Sequence, residues 1–260
     1  MSHNPRDHAQ HPHRAPEGAA TDSHQVPWAG RELSASGFEH DAGAADPALV
    51  VALADPERDA VAEQRLVEAV AGGRLIIPIV AEPAEVDASG ELVVETRVEM
   101  AAVTLVAPDG QRALPVFSGV GALAAWDPAA RPVPVTPARA AQAALDEGCD
   151  VLVIDVAGPA TRVLRGSMIW ALAQERAWLP ADSDPVVAAA VQRATESEAG
   201  LAAYRLGVGP EGALSLDLSI PAGREHAELT ALAGRMGERL AGDPEVRIRL
   251  DGLAVRFTAV

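Results

Sequence analysis

The sequence predicts an α+β protein, with two mixed α/β-sheet domains behind a disordered N-terminal leader. Residues 1–46 are rich in His, Pro, Gly, Ala and Asp and show little apolar periodicity, which is typical of a disordered segment. Residues 47–180 and 181–260 each alternate short apolar runs with stretches of helical period, separated by turn-forming residues. Pro180 and Pro185 bracket the linker between the two predicted domains.

Charge and composition argue against several classes of function. The formal net charge of −16 disfavours nucleic acid and anionic membranes as partners. The single cysteine, Cys149, excludes an internal disulfide and fits a reducing compartment. The sequence has neither the apolar core of a signal peptide nor an apolar run long enough to span a bilayer. We therefore expect a soluble cytoplasmic protein.

The leader contains six of the seven histidines, namely His3, His8, His11, His13, His24 and His40. They indicate either a metal-binding tail or a polar leader in which the histidines are incidental. Their spacing fixes no coordination geometry, so we predict no metal site and no cofactor. Trp28, Leu33 and Phe38 are apolar residues that could dock part of the leader onto a domain.

The first half of the N-terminal domain has clear start and stop residues. Asp55 precedes a proline and is the predicted N-cap of a helix that ends at Gly72. Residues 75–80 form a predicted strand, and Pro78 indicates an edge or a bulge there. The Pro-Asp-Gly turn at residues 108–110 predicts a hairpin into the next strand.

The most strongly punctuated part of the chain is residues 112–154. Ser118 is the predicted N-cap of a short helix after the first strand of this part. The segment RPVPV predicts a short edge strand. Thr136, followed by proline, caps a helix that ends at Gly148 in a left-handed conformation. The apolar run from Val151 to Ile154 predicts a strand covered on both faces.

The C-terminal domain has a predicted α-β-β-α-β-β order. Its first helix begins at Asp184, and strict apolar alternation over residues 214–220 predicts a strand buried on one face. Asp251-Gly252 is a favoured two-residue hairpin turn, so residues 246–250 and 253–260 are predicted to pair as antiparallel strands.

The order of these elements resembles a known family. The helix ending at Gly72-Gly73, the Pro-Asp-Gly hairpin, PVFSGVGALAAW, RPVPV and the helix leading into CDVLVI are similar to the N-terminal domain of the SseB family, which is named for enhanced serine sensitivity. The second domain resembles the SseB C-terminal domain. Where the family commonly has a Thr-Ser-acid run, this chain has Ser118-Gly119-Val120, and Asp155 begins the loop where the family has Asn-Pro. The resemblance implies the fold and a non-enzymatic protein.

A glycine-rich turn offers one candidate ligand site. Gly119, Gly121 and the sequence after them match a dinucleotide fingerprint between a strand and a helix, and Ser118 precedes them. The helix ends within two turns, however, and Thr136 rather than an acidic residue follows the next strand. The alternatives are a site for a small anionic ligand or nucleotide, and a helix start packed closely on a sheet.

Three arginines offer a candidate partner site. In the predicted hairpin Arg247 faces Arg256, and Arg249 lies diagonal to Arg256 on the same face. Because opposed like charges destabilise a strand pair, the arginines indicate a basic platform for an acidic partner. The alternative is internal pairing with Asp217 or Glu245.

No catalytic motif accompanies these sites. The sequence has no metal-ligand constellation, and His226 is the one histidine outside the leader that could serve Cys149, in the other predicted domain. We therefore predict a non-catalytic cytoplasmic protein-interaction or regulatory module of the SseB type, with a protein partner that the sequence does not identify. The alternative is a binder of a small anionic ligand or nucleotide at Ser118–Gly121, with or without catalysis.

Overall fold

A computed structural model of the chain describes residues 37–38, 40–82 and 99–260. Its contacts divide into two units, Met1–Asp41 and Ala42–Val260. In the first unit, the Asp41 amide donates a hydrogen bond to the Phe38 carbonyl oxygen at 3.0 Å. Most of the leader that was predicted to be disordered, including the docking residues Trp28 and Leu33, lies outside the described residues.

The second unit contains helices and mixed sheets, which confirms the predicted α+β class. None of the helices in the described ranges has the length and apolar composition of a transmembrane span. The elements in chain order are α1 Pro47–Ala54, α2 Ala60–Ala71, β1 Leu75–Glu82, β2 Glu99–Ala102, β3 Leu105–Val106, β4 Arg112–Val116, α3 Val120–Trp126, β5 Arg131–Val135, α4 Pro137–Asp146, β6 Val151–Ile154, β7 Arg162–Leu164, α5 Gly166–Ala173, α6 Pro185–Glu196, β8 Ala203–Val208, the 3₁₀ turn Pro210–Gly212, β9 Leu214–Ile220, α7 His226–Gly242, α8 Pro244–Arg247 and β10 Leu253–Ala259.

The first sheet has the order β2-β1-β5, with both pairs antiparallel. The edge strand that Pro78 predicted is wrong, because β1 is the central strand, and the alternative of a bulge stays a prediction. The Ile76 backbone exchanges hydrogen bonds with Phe117 on the side away from β5, at 2.9 and 2.8 Å. The backbone nitrogen of Pro78, two residues further along the strand, faces the same side as that of Ile76. The pairing of β1 with β2 begins only at Ile79. The missing amide of Pro78 therefore falls in the gap between these pairings.

The second sheet has the order β3-β4-β6-β7. Leu105 pairs with Ala113, so the predicted Pro-Asp-Gly hairpin is confirmed. β6 is parallel to β4, and the side chains of Leu114 and Leu152 are fully buried. These two sheets and the helices α1, α2, α4 and α5 enclose one main apolar cluster. The edge position of β5, the Thr136 cap and the left-handed Gly148 (φ 64°) are also confirmed.

The predicted cap of the first helix is wrong. Asp55 follows the end of α1, a helix that the sequence pattern did not predict, and the N-cap of α2 is Asp59. The Asp59 carboxylate accepts a hydrogen bond from the Ala62 amide at 2.8 Å. Asp46-Pro47 begins α1, and Asp184-Pro185 begins α6 in the same way. At Asp55, by contrast, the same Asp-Pro pattern follows the end of a helix.

The C-terminal sheet has the order β10-β9-β8, and its core packs on α6 and α7. The predicted Asp251-Gly252 hairpin is wrong, because residues 244–247 form α8 and β10 runs parallel to β9. Asp243 caps α8 by accepting from the Glu245 amide at 3.0 Å, and Pro244 occupies its first turn. This local cap, together with the buried Val246, outweighs the strand preference of the following residues.

Candidate functional site

An open cleft of about 1130 Å³ lies in the second unit. Val163 of β7 and Trp170 of α5 line one side, and Leu253 and Ala254 of β10 line the other. Trp170 is 37% exposed and Val163 is 49% exposed, although the rest of α5 contributes to the main apolar cluster. The cleft therefore presents an aromatic and an aliphatic side chain to solvent between two sheet edges.

A cluster of hydrogen-bonded side chains reaches this cleft through Arg165 and Asp251, and we call it the Arg165 cluster. It consists of Arg165, Glu63, Asp251, Ser167 and Trp178. Arg165 donates from both terminal nitrogens to the two oxygens of Glu63, at 2.5 and 2.9 Å, and from Nε to Asp251 at 3.0 Å. The guanidinium carbon also lies 5.9 Å from the centroid of the Trp178 ring. One arginine thus joins α2, the start of α5 and the loop before β10.

Asp251 supplies the cap that α5 lacks within its own sequence. Its Oδ1 accepts from the Ser167 amide at 2.7 Å, and its Oδ2 accepts from the Ser167 hydroxyl at 2.7 Å. The Ser167 oxygen in turn accepts from Trp178 Nε1 at 3.0 Å. Because an acidic group at a helix N-terminus satisfies free amides and suits the helix dipole, Asp251 stabilises α5 from a distant part of the chain.

Burial and pairing act on the ionisation of two residues at the cleft. Burial lowers the pKa of Arg165, but the hydrogen bonds to Glu63 and Asp251 outweigh it and raise the pKa above its ordinary value. Burial raises the pKa of the Cys149 thiol, which lies at the edge of the cleft and is 6% exposed. Arg165 is therefore a permanent cation in an ion pair, and Cys149 is a poor nucleophile at neutral pH.

The predicted ligand residues Ser118, Gly119 and Gly121 lie at the start of α3, away from the cleft. Ser118 is buried and does not cap α3, because its amide and hydroxyl donate to the two oxygens of Asp155 at 2.8 and 2.7 Å. A Cβ atom at Gly119 would lie 2.9 Å from the Ala45 amide nitrogen. A carboxylate and the residues before α1 thus occupy the space that an anion would need.

The predicted partner residues Arg247, Arg249 and Arg256 do not share a strand pair. Arg249 donates to Glu245 at 3.0 Å and to Asp184 at 3.4 Å. For Arg249 the structure therefore has the alternative of internal pairing with Glu245. Arg247 is exposed on α8. Arg256 lies beside Asp217 of β9 in the register, and Arg205 of β8 contacts that same carboxylate at 3.5 Å. The opposed like charges that motivated the basic platform are absent from this register.

Comparison with protein families assigns the first part of the second unit. Residues 47–171 match the family model of the SseB protein N-terminal domain. This part of the chain is similar to an SseB N-terminal domain. The match does not extend to residues 172–260, and the searches of curated proteins and of solved structures each found no match.

The part of the chain that matches this family model contributes most of the residues that line the cleft, from Asp109 to Trp170. Within the described ranges, no group of three or more His, Cys, Asp or Glu side chains is arranged to hold a metal ion. Sequence reasoning missed the Arg165 cluster, since Glu63, Arg165 and Asp251 are far apart in the chain. The only local indication was the polar Ser167 at the start of the apolar α5.

Proposed function

We propose that this chain is a non-catalytic cytoplasmic protein-interaction module of the SseB type. Its cleft binds an extended segment of a partner protein, and the segment carries an apolar anchor residue flanked by basic residues. The observation that carries the proposal is the exposed Trp170 in a cleft of about 1130 Å³. Tryptophan is enriched among the residues that dominate binding energy at protein interfaces.

The edges of two sheets support an extended partner. β7 is an edge strand of one sheet and β10 is an edge strand of another, and both contribute residues to the cleft. An edge strand presents backbone groups that can pair with an added strand. β10 is seven residues long, which is enough for several such hydrogen bonds.

The charge at the rim of the cleft supports basic residues in the partner. Exposed Asp109, Asp150 and Glu211 line the cleft. Arg165 also lines it, but its charge is matched by Glu63 and Asp251. Such complementarity mainly accelerates association and selects the partner. The free, buried Cys149 supports a reducing compartment such as the cytoplasm.

Affinity capture from a lysate of source cells tests this proposal with one matched pair of variants. Trp170→Ala should lose the captured partner, because it removes the aromatic anchor of the cleft. Tyr204→Ala should retain it, since Tyr204 is an aromatic residue of nearly the same exposure, 38% against 37%, and lies outside the cleft. Retention of the same partner by folded Trp170→Ala protein would refute the cleft as the binding site.

The charge proposal has its own variant. Glu211→Arg should weaken capture of the same partner at low salt, and the loss should diminish as the salt concentration rises. No observation in the structure favours the small-ligand alternative at Ser118–Gly121, because Asp155 and the residues before α1 occupy its surroundings.

A further inference from the structure

We propose that a second cavity, separate from the cleft, binds a small molecule with an apolar body and a protonated amine. The cavity has a volume of about 460 Å³. It lies between the C-terminal half of α2, the start of α4 and the chain that follows α5. This volume falls within the range of small-molecule sites.

The floor of the cavity is apolar and belongs to the protein core. Val67, Leu172 and Trp178 are 3%, 3% and 4% exposed and are members of the main apolar cluster, and the buried Pro137 completes the floor. Apolar walls with few polar groups at the mouth are typical of sites for small organic molecules. The body of the ligand would therefore be an aromatic ring or a compact aliphatic group.

The mouth of the cavity carries two exposed carboxylates, Glu68 and Glu175. Among the described residues, no hydrogen bond or ion pair reaches the Glu175 carboxylate, and Glu68 accepts one hydrogen bond from Gln64 at 3.1 Å. Arg176 also lines the cavity, and its guanidinium donates to two neutral acceptors, the Gln174 side chain at 3.1 Å and the Ile248 carbonyl at 3.5 Å. Two carboxylates against one guanidinium leave the lining with a formal charge of −1.

The helix ends around the cavity favour a cation on balance. α2 and α5 bring their C-terminal ends to it, where the partial charge of a helix is negative. α4 brings its positive N-terminal end, but the Thr136 hydroxyl oxygen already accepts from the Arg139 amide at 3.3 Å. With Glu68 and Glu175 added, a protonated amine is the charge type that complements the mouth.

Isothermal titration calorimetry of the full chain with three related probes tests the proposal. The probes are 2-phenylethylamine, 2-phenylethanol and 3-phenylpropionate, which share a ring and differ in charge. We expect the amine to bind at least ten times more tightly than the carboxylate, with the alcohol between them. Failure of the amine to bind, or a preference for the carboxylate, would overturn the proposal.

Variants of the cavity locate the binding. Ala138→Leu places a larger side chain in the lining and should abolish amine binding, and Ala71→Leu serves the same purpose if the first variant does not fold. Glu175→Gln should remove the preference for the amine over the alcohol, whereas Glu228→Gln, on α7, should not change it. Amine binding that survives both leucine variants would show that the amine binds elsewhere and would refute this site.

The test is independent of the proposed partner cleft. Trp170 lies outside this cavity, so the Trp170→Ala protein should bind the amine with the same affinity as the unchanged protein. A parallel loss of amine binding in folded Trp170→Ala protein would place the amine in the cleft instead and would contradict the proposal.

Discussion

The Asp251→Ala substitution should destabilise the second unit by about 3 kcal/mol. The Asp251 side chain is 11% exposed and accepts three hydrogen bonds, from the Ser167 amide, the Ser167 hydroxyl and Arg165. Breaking a buried ion pair by removing one partner costs about 3–5 kcal/mol. The lower end applies here, because Arg165 keeps its two hydrogen bonds to Glu63.

Thermal and urea unfolding measure this effect. A loss of about 3 kcal/mol lowers the melting temperature by roughly 6–12 °C for a unit of this size. Asp251→Asn keeps an oxygen for the Ser167 amide and should cost about half as much. Asp127→Ala is the control, because Asp127 is a half-buried residue whose Oδ1 accepts one local hydrogen bond, from the Ala129 amide. If Asp251→Ala is no more destabilising than Asp127→Ala, the Arg165 cluster does not hold the cleft together.

Two further substitutions test other parts of the second unit. Asp155→Ala should lower the free energy of unfolding in urea by about 2–3 kcal/mol, because it leaves the buried Ser118 amide and hydroxyl unpaired and places alanine at φ 52°. Asp155→Asn should lower it by about 1 kcal/mol. Equal losses in the two variants would contradict this reasoning. The hydrogen bond from Arg235, helped by Arg239, lowers the pKa of Glu198 below its ordinary value of 4.5. A lowered pKa stabilises the folded state above pH 4.5. The unchanged protein should therefore have a larger free energy of unfolding than Glu198→Gln at pH 7, and this difference should disappear as the pH falls through the lowered pKa. A difference in stability that persists in acid would refute this ion pair.

Local chemistry made much of the fold predictable. Thr136-Pro137 and Asp184-Pro185 each combine a side-chain cap with a proline in the first turn, and both begin helices as predicted. The alternating prolines of RPVPV lie where their missing amides would face away from β1, so β5 is an edge strand as predicted. These predictions succeeded because neighbouring residues supply both the pattern and its physical cause.

Non-local pairing limited the rest. Asp251-Gly252 has the composition of a hairpin turn, but the Asp251 carboxylate binds Ser167 and Arg165, which come more than eighty residues earlier in the chain. Pro78 suggested an edge because the sequence does not show that its partners on one side leave a gap. The cleft and the Arg165 cluster were beyond prediction for the same reason, since no short segment contains their chemistry.

The position of Asp251 in the chain has a consequence for synthesis on the ribosome. Arg165 and Ser167 emerge long before Asp251, and β9 emerges before the strand β10 that completes its parallel pairing. Until then α5 lacks its cap and β9 has an unsatisfied edge, both of which are targets for chaperones or for aggregation. Nascent chains that stop before Asp251 should therefore remain sensitive to protease around α5. The residues that line the two sides of the cleft can be linked through Arg165 only after Asp251 has left the ribosome.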